Sequence, residues 1–117
     1  MKVVKISDVR AEESTNPIFT GGKVSTQNLI GESEDKLRSA LVNFSPGAHC
    51  VFHTHTSDQV LYVTEGTGIV ATENEEVTVT PGTIIFFPAG EKHWHGATKD
   101  SAFSHIHIIP GPSHTSF

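Results

Sequence analysis

The sequence predicts an all-β fold, a sandwich or barrel built from many short strands. Segments rich in β-branched and aromatic residues, which favour strands, alternate with turn formers such as Ser45-Pro46-Gly47 and Pro81-Gly82. The spacing of these turns is regular, as in sandwiches and barrels, and no segment favours a helix. The predicted strands cover residues 39–44, 51–55, 60–64, 67–71, 76–80, 84–87 and 103–109.

The chain length predicts a single domain, because 117 residues can bury one core but not two. Residues 36–109 carry the strand pattern and are expected to form the barrel core. Residues 1–35 are more polar and weakly periodic, so we expect an N-terminal arm with one or two edge strands. The tail, residues 110–117, is expected to be a loosely ordered end.

Composition and charge exclude several classes of partner. The net charge is −5 and no run of Lys and Arg occurs, so the attraction to phosphate backbones that drives nucleic-acid binding is missing. No stretch approaches the roughly 18 consecutive apolar residues of a membrane helix, so no membrane partner is expected. The single cysteine, Cys50, excludes an internal disulfide. The first residues lack an apolar signal-like stretch, so we expect a cytoplasmic protein.

The histidines indicate a metal site, because seven of the eight lie between positions 49 and 107. His53 and His55 alternate along an extended segment, so their rings are expected on one face. Gln59 follows after a polar turn, and His93 can approach from a neighbouring strand. Three imidazoles and one amide oxygen would partly encircle one divalent transition-metal ion per chain. Imidazole suits iron, manganese, cobalt, nickel, copper and zinc alike, so the residues alone leave the metal open.

Two motifs resemble those of the cupin superfamily. The residues of the first motif are Gly47, His53, His55, Gln59 and Gly66, and those of the second are Gly82, Pro88, Gly90 and His93. The resemblance implies a double-sheet jelly-roll β-barrel with metal ligands in its mouth, and it implies a homodimer. The chain departs from the pattern twice, with Gln59 in place of the usual Glu and Ala97 in place of the usual Asn.

A narrower resemblance concerns a combination of three segments, which is similar to that of cupin hydroxynitrile lyases and of carboxymuconolactone decarboxylase-like cupins. The segments are His53-Thr54-His55 with Gln59, the run from Glu91 to Ala97, and Phe103-Ser104-His105-Ile106. It implies that manganese or iron is the favoured metal. It also implies that His53, His55, Gln59 and His93 are the ligands, and that His95 and His105 line the cavity beside them.

The chemistry of Gln59 and of the additional histidines favours acid-base work on a small molecule. A neutral Gln leaves the +2 charge of the ion uncompensated, so the ion stabilises negative charge on a substrate oxygen. His95 and His105, kept neutral by burial, are our candidates for the catalytic base. The residues expected to shape the substrate pocket are Ala40, Val42, Phe44 and His107.

Three function classes fit these residues, each with a small-molecule substrate or ligand. The first is a metal-dependent lyase, similar to hydroxynitrile lyases, acting on a small carbonyl or hydroxy compound. The second is an iron-dependent dioxygenase, which uses the same ligands and would consume oxygen. The third is a non-catalytic module that binds or senses a small molecule.

Overall fold

The computed structural model describes residues 1–31 and 36–117, and nearly all of its regular structure is β-strand. The one helical segment among the described residues is a single 3-10 turn, Ile6–Asp8. No helix in the described part of the chain is long and apolar enough to cross a membrane. The strands are β1 (Glu12–Glu13), β2 (Phe19–Thr20), β3 (Val24–Ile30), β4 (Leu37–Phe44), β5 (His49–Cys50), β6 (Thr54–His55), β7 (Gln59–Gly66), β8 (Gly68–Thr72), β9 (Glu76–Val79), β10 (Ile84–Phe87), β11 (His93–Ala97), β12 (Phe103–Pro110) and β13 (Thr115–Ser116).

The strands form two larger antiparallel sheets, so the expectation of an all-β, double-sheet fold is confirmed. The first sheet has the order β1-β3-β4-β12-β7-β10, and the second has the order β2-β5-β11-β8-β9. Strands β6 and β13 form a separate two-stranded ladder. The sheets are not closed into one continuous ladder, so the molecule is a sandwich rather than a fully closed barrel.

Six of the seven predicted strands correspond to strands of the structure, and the prediction over residues 51–55 is wrong. In that segment only Thr54 and His55 belong to a ladder, while His49 and Cys50 form a strand just before it. Between them the Val51 amide donates to the Ile18 carbonyl, which continues the pairing of β5 with β2 by one residue. The predicted strand ranges do not include β11, although His93 is expected on a neighbouring strand, because the inward-facing residues of β11 are histidines rather than aliphatic residues.

The N-terminal arm contributes more to the sandwich than one or two edge strands. Three strands, β1 to β3, lie within the first 31 residues, and β3 pairs with β4 over most of its length. Strand β3 is not an edge, because β1 covers its other side. Residues 32–35, at the end of the predicted arm, lie outside the described part of the chain.

The core lies between the two sheets and follows the period of two that strands impose. Along β7, Gln59, Leu61 and Val63 are buried, as the sequence pattern predicts.

Gly96 sets how closely β11 approaches β5. A Cβ added at Gly96 would lie 2.4 Å from the Cα of His49 and 2.6 Å from the carbonyl oxygen of Ala48. A glycine at this position therefore allows β11 to lie against β5 and fixes where β11 presents its histidines.

Candidate metal centre

Three histidines converge where the segment after β5 meets β11. His53 and His93 exchange two backbone hydrogen bonds, with N···O distances of 2.9 and 3.0 Å, and so form an isolated antiparallel bridge. Their ring centroids lie 4.3 Å apart, and the ring of His55 lies 4.8 Å from His53 and 5.3 Å from His93. The structure thus brings together the three histidines that the sequence pattern singles out.

Hydrogen bonds at Nδ1 orient each of these rings. The Nδ1–H of His53 donates to the Val51 carbonyl, and that of His93 donates to the Glu91 carbonyl, both at 2.8 Å. His55 Nδ1 is bonded to the Thr115 hydroxyl at 2.9 Å, a contact that comes from the C-terminal ladder. The carbonyl partners leave Nε2 of His53 and of His93 as the nitrogen with a lone pair, and His55 has the same arrangement when its Nδ1–H donates to the Thr115 hydroxyl, which is the usual way in which a protein prepares a histidine for a metal.

The free atoms of these side chains fit a metal ion. One ring nitrogen from each of His53, His55 and His93 lies within 4.8 Å of the others. Nε2 of His55, Nε2 of His93 and Oε1 of Gln59 are buried and have no hydrogen-bond partner among the described residues. Buried polar atoms without partners cost free energy unless something binds them. Three imidazoles and an amide oxygen are a donor set that divalent transition metals accept.

Packing from the two sheets holds these groups in place. The ring of Phe87, on β10, stacks on His93 at 3.8 Å between centroids and an angle of 12°. Phe87 is also the register partner of Gln59, so one aromatic residue supports two of the candidate ligands. Both strands belong to the six-stranded sheet, whereas His93 comes from the other sheet. The candidate site therefore depends on the association of the two sheets.

A second pair of histidines lies deeper in the sandwich. Nε2 of His105, on β12, lies 3.2 Å from Nδ1 of His95, on β11, so one ring donates to the other. Both side chains are buried, and the ring of His95 lies 5.7 Å from that of His53. The ring of Phe44 lies behind the pair, 5.9 Å from His95 and 5.5 Å from His105. The two candidate bases therefore form a hydrogen-bonded pair next to the candidate metal centre.

A cavity of about 200 Å³ adjoins both groups of histidines. It is lined by Asn16, Ile18, Phe19, Val42, Cys50, His53, His55, Gln59, His95, His105, His107 and Thr115. Its wall includes residues from the N-terminal arm and the C-terminal ladder, which sequence reasoning did not assign to the site. The N-terminal arm reaches the cavity because β2 pairs with β5, and the C-terminal segment reaches it because β13 pairs with β6. No local sequence pattern in either segment indicates these pairings.

The residues predicted for the substrate pocket occupy three different places. Val42 and His107 line the cavity beside the candidate metal centre. Ala40 lines a neighbouring, larger cavity of about 780 Å³, and His107 lines that one as well. Phe44 is buried behind His95 and His105 rather than in the cavity wall. His107 thus lines both cavities, and Ala40 lines the larger one.

Burial keeps the histidines neutral at pH 7. Desolvation lowers the pKa of His55 and of His93 to about 4 and that of His105 to about 3. It also lowers the pKa of His53, and it lowers the pKa of His95 well below the ordinary value. Neutral rings are required both for metal binding and for accepting a proton.

His107 and Cys50 are also neutral in this environment. Burial, with the nearby Arg38 guanidinium, lowers the pKa of His107 to about 4. Burial raises the pKa of the Cys50 thiol to about 12, so the cysteine carries no charge at neutral pH.

Known proteins resemble this chain in both sequence and structure. The (R)-mandelonitrile lyase of Granulicella tundricola is 44% identical over 70 residues, which are 59% of this chain and 53% of the relative. The chain thus matches about half the length of this curated relative. A cupin-like protein of Thermotoga maritima is 28% identical over 90% of this chain and 84% of its own, with a TM-score of 0.81. The polyketide cyclase RemF of Streptomyces resistomycificus is 25% identical over 100% of this chain and 86% of its own, with a TM-score of 0.83.

The family assignment rests on the segment that carries both groups of histidines. The cupin domain family Cupin_2 matches residues 40–109, which include β4 to β12 almost completely. This segment is more than half of the chain, and it agrees with the two motifs seen in the sequence. The chain therefore belongs to the cupin superfamily, as a member of the Cupin_2 family.

Proposed function

We propose that this cupin is a metal-dependent lyase that acts on a small hydroxy or carbonyl compound, similar to a hydroxynitrile lyase. The ion would be held by His53, His55, Gln59 and His93, with manganese or iron favoured. The observation that carries the proposal is the uncharged donor set. The ring nitrogens of the three histidines converge, Gln59 lines the same cavity, and the described residues that line this cavity include no Asp or Glu.

The uncharged surroundings determine what such a site favours. A divalent ion held there would act as a Lewis acid and would stabilise negative charge on a nearby substrate oxygen. Among the described residues, neither the candidate ligands nor the cavity wall contributes a carboxylate, so no ligand or wall residue would offset the charge of the ion. Such a site favours substrates that develop negative charge, as an alcohol does when it loses its proton.

His95 and His105 are the groups that would take this proton. Both line the cavity, both are buried, and burial keeps both neutral at pH 7. A neutral imidazole within reach of a substrate hydroxyl accepts its proton, and the same ring returns a proton in the reverse direction. Because the two rings are hydrogen-bonded at 3.2 Å, the second ring can stabilise the first when it becomes protonated.

The rest of the cavity selects a small and partly apolar molecule. Ile18, Phe19 and Val42 supply the apolar part of the wall. A volume of about 200 Å³ admits only a small compound, and little water remains beside it. An aromatic cyanohydrin or its aldehyde matches this combination of size, apolar wall and basic groups.

The named relative supports the same reaction class. Its name, (R)-mandelonitrile lyase, describes a lyase of an aromatic cyanohydrin, and it shares 44% identity with 59% of this chain. The polyketide cyclase RemF, by its name, performs a different reaction on a similar fold. A shared fold alone does not select between such reactions, so the proposal depends on the donor set and on the two additional histidines.

The test is cleavage of mandelonitrile by the manganese-loaded protein, measured as benzaldehyde release above the background reaction. We expect measurable turnover that falls by roughly 10²-fold or more in His95→Ala and in His105→Ala, the usual scale for general acid-base catalysis. Manganese content, assayed in parallel, should remain at the wild-type level in both variants. His114→Ala is the matched control, because His114 is exposed in the C-terminal segment.

Two results would replace the proposal. Turnover equal to the background, together with oxygen uptake by the iron-loaded protein, would assign the chain to the dioxygenases. If the protein binds metal but shows neither mandelonitrile cleavage nor oxygen uptake, the non-catalytic binding module is favoured. Loss of manganese from the His95→Ala protein would instead mean that His95 contributes to metal binding rather than to proton transfer.

A further inference from the structure

Cys50 lies in the cavity wall and has no role in the proposed reaction. Its side chain is 2% exposed and comes from β5, directly opposite β11. The sulfur lies 3.6 Å from Nδ1 and 3.7 Å from Nε2 of His95. Cys50, His53 and His95 are all buried, and one ligand atom from each lies within 4.8 Å of the others. This is a second group of metal-binding side chains beside the three histidines.

The sulfur–nitrogen separations in this second group are close to those of two ligands on one ion. Zinc binds sulfur at about 2.3 Å and imidazole nitrogen at about 2.0–2.1 Å, so tetrahedral geometry places the two ligand atoms about 3.6 Å apart. The sulfur of Cys50 lies 3.6 and 3.7 Å from the two ring nitrogens of His95, so it faces the ring rather than the lone pair of either nitrogen. Binding of a shared ion therefore requires rotation of the Cys50 or His95 side chain.

The neighbouring hydrogen bond orients His95 for this role. When Nδ1 of His95 donates to Nε2 of His105, at 3.2 Å, its Nε2 keeps a lone pair. A histidine ligand commonly donates its other N–H to a neighbour, which fixes the ring and raises its basicity. His105 would supply that support from β12, outside the group that binds the ion.

His53 is common to both groups and cannot serve both at once. Its Nδ1–H is bonded to the Val51 carbonyl, so Nε2 is its only nitrogen with a lone pair. One lone pair binds one ion. An ion held by Cys50 and His95 would therefore remove His53 from the group that contains His55 and His93.

We propose that Cys50, His53 and His95 form a second ion position, selective for thiophilic ions such as zinc, cadmium or cuprous copper. Thiolate is a soft ligand that favours these ions, whereas the first group offers only nitrogen and oxygen. Binding breaks the S–H bond, forms a sulfur–metal bond and releases one proton to solvent. The competition with manganese rests on the proposed function of the first group, but the existence of the second position does not.

The thiolate provides a direct optical signal, because Cys50 is the single cysteine of the chain. Metal-free protein is titrated with cadmium, and the thiolate-to-cadmium absorption in the ultraviolet is recorded. We expect one thiolate-bound cadmium per chain in the wild type and in His55→Ala, which retains the whole second group. Cys50→Ser should give no such band, and His95→Ala should bind at least about tenfold more weakly, as loss of a direct ligand requires. Cys50→Ala provides a second thiol-free variant should the Ser variant fold poorly.

Two results would overturn the proposal. One is the absence of the band in folded wild-type protein. The other is an unchanged cadmium affinity in folded His95→Ala, because the thiol would then bind cadmium without its expected partner.

Competition is measured by manganese release, followed by the paramagnetic resonance signal of the free ion. One equivalent of cadmium should release manganese from the wild type and leave it bound in Cys50→Ser. Simultaneous retention of both ions by the wild type would refute the shared use of His53. Failure of the wild type to bind manganese would refute the first position, while the cadmium band would still decide the second.

Discussion

Acidification of the metal-free protein should remove much of its stability. His55, His93 and His107 have a pKa of about 4 and His105 has one of about 3 in the folded protein, against an ordinary value of 6.5. Below pH 6.5 the unfolded chain binds protons at these positions and the folded chain does not. The free energy of unfolding therefore falls as the pH falls, and it levels off only below the folded-state pKa values.

The expected loss follows from these pKa values. Between pH 8 and pH 5.5, a buried histidine whose pKa falls from 6.5 to about 4 or lower costs about 1 kcal/mol of stability. His93, His105 and His107 together account for about 3–4 kcal/mol, and His55 adds a smaller amount because solvent screens its partly exposed ring. Small domains unfold with about 5–15 kcal/mol, so this loss is a large fraction of the stability of the metal-free protein.

Urea denaturation with a chelator present, at pH 8 and pH 5.5, measures this difference through the fluorescence of Trp94, the single tryptophan. His107→Asn should reduce the loss of stability by about 1 kcal/mol, since one titrating group is removed. His114→Asn is the matched control, because His114 is exposed. Equal free energies of unfolding at the two pH values would refute the claim that burial keeps these rings neutral.

Two further substitutions test the charge and the packing of the site. Gln59→Glu should keep metal binding but weaken azide binding to the cobalt-loaded protein by at least about tenfold, about 1.4 kcal/mol, because a carboxylate offsets the charge of the ion. Visible absorption follows the titration, and tighter azide binding would contradict the charge argument. Gly96→Ala should lower the free energy of unfolding by about 2 kcal/mol or more, since its Cβ would lie 2.4 Å from the Cα of His49. Urea denaturation measures the free energy of unfolding. An unchanged value would mean that β5 moves away from β11 at no cost in free energy.

The sequence predicts the strands whose pattern is local. Strand β7 alternates buried and exposed residues, so its inward face, with Gln59 and Leu61, follows directly from a period of two. The predicted strand ranges omit β11 because its inward residues include His93 and His95, which carry no hydrophobic signal. The metal motif indicated this segment nevertheless, because ligands at fixed spacing are a stronger signal than weak hydrophobicity.

The contacts that complete the site could not be predicted, because they join residues far apart in the chain. Thr115 orients His55 from a position 60 residues later, in a tail expected to be loosely ordered. Thr115 and its neighbour pair with β6, an arrangement that no local pattern in the tail indicates. Cys50 enters the cavity because β5 is a short strand facing β11, whereas the sequence prediction placed a strand only from residue 51.

The most direct test of the account is the manganese content of purified protein that has been stripped with a chelator, reloaded with manganese and desalted. If His53, His55, Gln59 and His93 hold the ion, the wild type and the His114→Ala control should retain about one manganese per chain. His93→Ala should retain almost none, because one of only four protein ligands is gone. The chelator step also removes thiophilic ions from Cys50, which would otherwise compete with manganese for His53. A folded His93→Ala protein with the manganese content of the wild type would contradict the account.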